Sequence, residues 1–242
     1  AEEKPPRLAG PNWLICAAMR EDTALPPQEK AINLPVVILA LIVGFIAAHL
    51  WRMTLSGEGD LVWLSRLAFV PGRFTYGFDP QGVAAAFAET MRTDPGRAAI
   101  GRYFLGDGQA VWSSALTYAF LHGDWTHLGF NALWLAAFGA AVARRFGAAR
   151  FMALFVASAL GGAAMHWAFH RFDLQPMIGA SAAVSGAMAA AARFAFARGA
   201  PLGGGFGTGD GAYRAPALSL AAMARQRNVM LFLGVWFVSN LV

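Results

Sequence analysis

Charged residues are scarce in this chain: only 14% of its 242 residues are Asp, Glu, Lys or Arg, against about a quarter in an ordinary soluble domain. The deficit is concentrated in five uncharged runs, at residues 31–51, 125–143, 151–170, 174–192 and 228–242. About 20 apolar residues in a helix cross a hydrocarbon core of about 30 Å. The composition therefore excludes an ordinary soluble domain and predicts an all-α polytopic membrane protein.

Cysteine is almost missing as well. Cys16 is the one cysteine, which excludes a disulfide framework and a cysteine-based metal site. The net charge of +5 is modest, and it fits arginines in cytoplasmic loops better than nucleic-acid binding. The first 30 residues mix both signs of charge and lack an apolar core, so the sequence indicates no secretory signal peptide.

The hydropathy pattern divides the chain into a tail, five predicted spans and their connections. Residues 1–33 form a polar tail, in which 1–18 read as an upstream extension because Met19 opens a stretch typical of a natural start. The remaining segments are a first span at 34–53, a long connection at 54–111, a second span at about 122–142, a third at 151–170, a fourth at 178–195, a loop at 196–227 that is Gly-rich at 201–211, and a fifth span at 228–242.

The connection at 54–111 is too long and too amphipathic for a floppy loop. Its segment from Gln81 to Thr93 has an apolar centre typical of a short interfacial helix. We therefore expect a folded element that lies against the membrane.

Arginine placement predicts the orientation. The loops at 144–150 and 198–227 are rich in Arg, whereas the link at 171–177 carries one Arg and one Asp. Short Arg-rich loops tend to be cytoplasmic. We therefore expect a cytoplasmic N-terminus, with the long connection, His122 and Ser181 toward the outer face.

Polar residues inside predicted spans are costly and are candidates for function. His122, His127 and Asn131 form the first group, and the last two are four residues apart, which places them on one helix face. An imidazole and a carboxamide side by side resemble the donors of an oxyanion hole. The alternative is inter-helix hydrogen bonding, with His122 among the lipid headgroups.

The second group is Gly179-Ala180-Ser181 at the start of the fourth predicted span. A serine in the first turn of a helix lies beside free amide N–H groups that stabilise an anion. A nucleophile there attacks a carbonyl while its own N–H holds the oxyanion. The alternative is a small-residue stripe that lets helices approach closely.

The third group is His166 and His170, four residues apart near the outer end of the third predicted span. With His122 and His127 at the same membrane level, four imidazoles in one cluster would bind a metal or a haem. The alternative is interfacial packing beside Trp167. We expect no metal and no cofactor.

Taken together, the first two groups resemble the rhomboid family of intramembrane serine proteases. The family pattern is a His five residues before a second His, an Asn four further on, and a Gly-x-Ser motif that opens a later helix. Here these are His122, His127, Asn131 and Gly179-Ala180-Ser181. The resemblance covers residues 112–242.

The resemblance implies a role for each residue. Ser181 would be the nucleophile, and its N–H with the His127 and Asn131 side chains would form the oxyanion hole. His122 and Gly179 would support the site. The partners would be transmembrane helices of substrate proteins within the lipid bilayer, and no nucleic acid is expected. The implied location is the bacterial inner membrane.

Two features depart from the family pattern. The family usually has Gly directly after the serine, where this chain has Ala182. The family's base is a His on a sixth helix, and no matching His is present. Because residues 235–242 are apolar to the last position, we expect that the sequence is part of a longer chain, whose sixth helix carries the base. The alternative is a catalytically inactive relative that binds membrane helices as a structural or complex-forming subunit.

Overall fold

The computed structural model describes residues 34–196 and 216–239, and the described part is helical. Its helices are α1 Val36–Met53, α2 Gly57–Leu67, α3 Pro71–Tyr76, α4 Pro80–Thr93, α5 Pro95–Leu105, α6 Ser114–Thr117, α7 Trp125–Phe146, α8 Ala148–His170, α9 Ser181–Ala192, α10 Leu220–Ala224 and α11 Arg227–Ser239. The predicted tail at 1–33 and the Gly-rich loop at 201–211 lie outside the described residues.

Three of these helices are long and apolar enough to cross a membrane: α1, α7 and α8, with 18, 22 and 23 residues. At 1.5 Å per residue they are about 27, 33 and 35 Å long, which matches a hydrocarbon core of about 30 Å. In lipid, a helix satisfies its own backbone hydrogen bonds. The prediction of an all-α polytopic membrane protein is confirmed.

The fourth apolar helix is shorter than the sequence predicts. α9 has 12 residues, or about 18 Å, where residues 178–195 were expected to form a full span. Gly179 with φ of +116° precedes the helix, and residues 193–196 form turns after it. The described part of α11 has 13 residues, so three helices rather than five reach spanning length in the described chain.

α9 lies at the centre of the bundle. Its buried side chains are Ala183, Val184, Ala187, Met188, Ala191 and Ala192. α8 crosses it through two glycine contacts, because a Cβ added to Gly162 would overlap the Cβ of Ala182, and one added to Gly186 would lie 2.6 Å from the Cβ of Ser158. The predicted small-residue stripe therefore packs helix against helix.

α7 contains an irregular turn that the sequence does not predict. Residues Leu135–Gly139 form a π-helical segment between two α-helical ones. A Cβ at Gly139 would lie 3.0 Å from Ile38 of α1. The aromatic rings of Trp134 and Phe138 lie 5.4 Å from Trp236 and 5.1 Å from Phe232, respectively. The segment thus packs α7 against both α1 and α11.

The long connection contains four helices, α2 to α5, as its amphipathic pattern indicates. Side chains cap three of them: Ser56 accepts the N–H of Gly59, Asp79 that of Gly82, and Asp94 that of Arg97. Prolines occupy the first helical positions of α4 and α5. The predicted short helix from Gln81 to Thr93 corresponds to α4.

Backbone and side-chain bonds tie this connection to the link that precedes α9. Phe69 and Met177 form an antiparallel bridge with N···O distances of 3.1 and 2.8 Å, and the Gly72 N–H donates to the Asp173 carbonyl at 2.8 Å. The Arg97 guanidinium pairs with the Asp173 carboxylate at 3.0 Å. The connection therefore covers the end of the bundle at which α9 begins.

The other end of the bundle is arginine-rich. The Arg145 guanidinium lies over the Phe194 ring, 4.5 Å from its centroid, and the Arg193 guanidinium donates to the Leu218 carbonyl at 2.9 Å. This end carries Arg without acidic residues at 144–150, whereas residues 54–111 at the other end carry five Arg and six Asp or Glu.

Candidate functional site

Asp124 fixes the start of α7 and so positions the first polar group. Its carboxylate accepts the backbone N–H of His127 at 2.8 Å, which places the imidazole in the first turn of the helix. That hydrogen bond is the main cause that lowers the pKa of Asp124, because it stabilises the charged carboxylate. Asp124 is thus an anionic N-cap one turn away from the candidate oxyanion donor.

Gly179 brings the link before α9 into contact with His127. Its N–H donates to the Tyr118 carbonyl at 3.0 Å, and its φ of +116° is one that glycine adopts without strain. A Cβ at this position would lie 2.6 Å from Nε2 of His127. Only a residue without a side chain allows the link to lie against the imidazole.

Ser181 is the first residue of α9, as the sequence predicts. The first helical hydrogen bond runs from the Val184 N–H to the Ala180 carbonyl at 2.9 Å, and no side chain caps this end. The amides of Ser181 and its two successors therefore point out of the helix end, where the helix dipole favours a negative charge. Such an end suits an oxyanion.

The structure thus brings the His127 side chain to the link that leads into Ser181. His127 contacts Gly179, two residues before Ser181, and both His127 and Ser181 are half-buried. The imidazole and the amide of Ser181 are two donors of the kind that stabilise a tetrahedral intermediate.

Asn131 has a different hydrogen-bond partner from the one its spacing suggests. The side chain is buried, and its Nδ2 donates to the His127 backbone carbonyl at 2.9 Å. One of its two N–H groups is thus used within α7, and the other remains for a ligand. The interaction also stiffens the turn that carries the imidazole.

His122 lies behind the site rather than among headgroups. Its side chain is fully buried, and its ring lies 5.1 Å from the rings of both Phe45 and His127. The Arg52 guanidinium donates to its backbone carbonyl at 2.8 Å. His122 therefore supports the loop that leads into α7.

The sequence reasoning missed His49. It is buried in α1 and meets the Trp125 ring edge to face at 4.6 Å. The signal was available, because His49 is an imidazole within an uncharged run, and polar groups in such runs are expensive.

The structure does not bring the four histidines of the suggested metal or haem site into one group. His166 and His170 stack on each other with ring centroids 4.7 Å apart, which the i, i+4 spacing on α8 explains. The described residues, which include every histidine of the chain, contain no group of three or more His, Cys, Asp or Glu placed to hold a metal. His122 precedes α7 and His127 lies in its first turn, whereas His166 and His170 both lie on α8.

The rhomboid domain family model matches residues 109–241, which is more than half of the chain and includes every candidate site residue. The chain belongs to the rhomboid family. The resemblance read from the sequence is confirmed, and the described part of this rhomboid contains the helices that carry the family's motifs.

A curated relative agrees with the assignment. The rhomboid protease GluP of Bacillus subtilis (strain 168) is 35% identical to this rhomboid over 82 residues. The matched segment is 34% of this chain and 16% of that protein, so the chain spans about a sixth of the length of the relative it matches.

Proposed function

We propose that this rhomboid is an intramembrane serine endopeptidase that cleaves membrane-protein substrates near the outer end of a transmembrane helix. One observation carries the proposal: the imidazole of His127 lies against Gly179, beside a helix that begins with Ser181 and has an uncapped N-terminus. This arrangement supports the proposed roles of Ser181 as nucleophile and of His127 and the Ser181 N–H as oxyanion donors, in a protein whose relative is named a protease.

The chemistry follows from these groups. The Ser181 Oγ attacks the carbonyl carbon of the scissile peptide bond, and its proton passes to a general base. The oxyanion that forms is held by the Ser181 N–H and the His127 ring, with the remaining Asn131 N–H as a third donor. The intermediate collapses as the base returns the proton to the leaving amine, and water then hydrolyses the acyl ester.

We assign the general base to none of the described residues, so its identity is part of the proposal. The family resemblance implies a histidine on a further helix next to α9. Ser185, one turn after Ser181, accepts a hydrogen bond from Nε1 of Trp236 at 3.2 Å, so α11 already packs against the same helix. The full-length protein is the form in which the reaction must be tested.

The proposed orientation has Ser181 toward the outer face of a bacterial inner membrane. The arginines at residues 144–150 and Arg193 lie at the opposite end of the bundle from α9's first turn. The positive-inside tendency places that end in the cytoplasm.

Labelling of the serine tests the activity. A fluorophosphonate probe is expected to modify Ser181 in the full-length, membrane-reconstituted protein and not in Ser181→Ala. Ser185→Ala is the matched control, since it removes a hydroxyl from the same helix one turn away. Equal labelling of wild type and Ser181→Ala, or none in folded full-length protein, would refute the proposal.

One observation favours a non-enzymatic alternative. One N–H of the Asn131 amide donates to the His127 carbonyl. Only the other N–H of this amide would be free to bind an oxyanion. A rhomboid-like helix-binding subunit would retain its partner in Ser181→Ala and would fail to cleave any single-span reporter. A stable co-purifying membrane protein together with unlabelled Ser181 would support that function instead.

A further inference from the structure

An aromatic-lined groove opens between α3 and α8, and Ser181 is not among the residues that line it. It has a volume of about 880 Å³, within the range of pockets that bind small molecules. Its walls come from α3, from residues 108–115 and from α8. The residues that shape it are Phe74, Tyr76, Phe78, Trp112, Leu160 and Trp167.

Two pairs of contacting aromatic rings connect the walls of the groove. Phe74 and Trp112 meet edge to face at 5.3 Å, and Phe78 and Trp167 at 6.4 Å. Trp167 is fixed by a hydrogen bond from its Nε1 to the Thr75 hydroxyl at 3.1 Å. The groove therefore has one wall fixed by the hydrogen bond of Trp167 and a rim formed by the exposed rings of Phe78 and Trp112.

One cation lines the groove. The Arg73 guanidinium is 12% exposed, and it donates to the Ser65 carbonyl at 2.7 Å and the Gln109 carbonyl at 2.9 Å. Its carboxylate partner Asp107 lies 3.6 Å away and is largely exposed. Burial lowers the pKa of Arg73, and Asp107 only opposes this effect. The groove wall thus carries a mostly buried positive charge whose carboxylate partner is exposed, and a phosphate is the part of a lipid with the opposite charge.

The groove is continuous with the lipid-facing surface of a spanning helix. α8 contributes Leu160 and Ala164 to it, and the neighbouring Met165 and Phe169 are 58% and 75% exposed. Trp112, at the rim, is 78% exposed, as is common for Trp at a membrane–water interface. The groove is therefore open on the side of α8 that would face the bilayer.

We propose that this groove binds a phospholipid of the bilayer, with an acyl chain between Trp112 and α8 and the phosphate at Arg73. An acyl chain fits a cleft whose walls are largely apolar, and the negative charge of one phosphate complements the guanidinium of Arg73. A second protein helix, about 10–12 Å wide with its side chains, would have to bring an acidic residue to the same point. The proposal is independent of proteolysis.

Photocrosslinking of the full-length protein tests the site. The protein is reconstituted in phosphatidylcholine vesicles that contain a phosphatidylglycerol with a diazirine in its acyl chain, and the adducts are mapped by peptide mass spectrometry. Adducts are expected to concentrate on residues 108–115 and 160–167. Ala164→Phe fills the groove and is expected to lower them at least five-fold. Ala157→Phe, an exposed position on the same helix outside the groove, is the matched control and is expected to leave them unchanged.

Three results would overturn the proposal. Equal adduct yield in Ala164→Phe and Ala157→Phe would show that the groove is not the binding place. Adducts spread evenly along the exposed face of α8 would indicate ordinary surrounding lipid. A benzophenone side chain at residue 112 that captures a protein chain instead of lipid would assign the groove to a helix. Arg73→Gln is expected to lower the adduct yield about as much as Ala164→Phe. An unchanged yield would show that Arg73 does not bind the lipid phosphate, and would refute that part of the proposal.

Discussion

The contact between Gly162 and Ala182 gives the sharpest prediction about the site. Ala182 stands directly after the candidate nucleophile, where rhomboids usually have glycine, and its methyl group lies where a Cβ of Gly162 would be. The same added Cβ would lie 3.1 Å from the Tyr118 hydroxyl. Gly162 on α8 thus provides the space that Ala182 on α9 requires.

The magnitude of the Gly162→Ala effect follows from this overlap. The position of a Cβ atom is fixed by the backbone, so side-chain rotation cannot relieve an overlap between two Cβ atoms. The helices must move apart instead, at a cost of about 1–3 kcal/mol for an overpacked contact. Gly161→Ala is the matched control, since nothing lies within 4 Å of a Cβ there, and it gains up to about 1 kcal/mol of helix propensity. The difference between the two variants isolates the overlap.

Thermal unfolding of the purified protein in detergent measures the difference. With about 2–4 °C per kcal/mol for a chain of this size, a cost of about 2 kcal/mol puts the Tm of Gly162→Ala about 4–8 °C below that of Gly161→Ala. The double variant Gly162→Ala/Ala182→Gly should recover most of the loss, because it moves one methyl group from α9 to α8 and removes the overlap between the two Cβ atoms. Equal Tm values for the two single variants, or no recovery in the double variant, would refute the reasoning.

Two further variants address the loop that leads into the site. Arg52→Gln removes hydrogen bonds at 2.7 and 2.8 Å to the Asp60 carboxylate and one to the His122 carbonyl, and should lower the free energy of unfolding by about 1–3 kcal/mol in a denaturant titration. A loss below 0.5 kcal/mol would contradict that estimate of the bonds. The His127 N–H lowers the pKa of Asp124, so this carboxylate stabilises the fold fully above its unfolded pKa of about 4 and loses that contribution as pH falls below it. Asp124→Asn should therefore show a smaller decrease of Tm between pH 6 and pH 3.5 than wild type, and an equal decrease would rule this out.

The membrane class and much of the site could be predicted from local signals. Uncharged runs predict α1, α7 and α8, because a helix in lipid needs only its own backbone to be satisfied. The i, i+4 spacing of His127 and Asn131 predicts a shared helix face, and a serine after Gly-x predicts a helix start. These features depend on residues close together in the sequence. The i, i+4 spacing left the acceptor of the Asn131 amide open, and the structure shows that one N–H donates to the His127 carbonyl.

Features that depend on contacts between distant segments could not be predicted. The burial of His49 follows from where α1 meets Trp125. Ala182 reads as a departure from the family pattern until Gly162, 20 residues earlier in the chain, is seen opposite it.

The sequence by itself determined that the chain crosses a membrane and that Ser181 begins a helix, because helix formation in lipid and the start of a helix depend on local composition. Only the tertiary structure decided that Gly179 lies against His127, that the long connection folds over the start of α9, and that an aromatic groove opens beside α8. Those outcomes depend on how closely two backbones approach, and that distance is set by the side chains of both partners together.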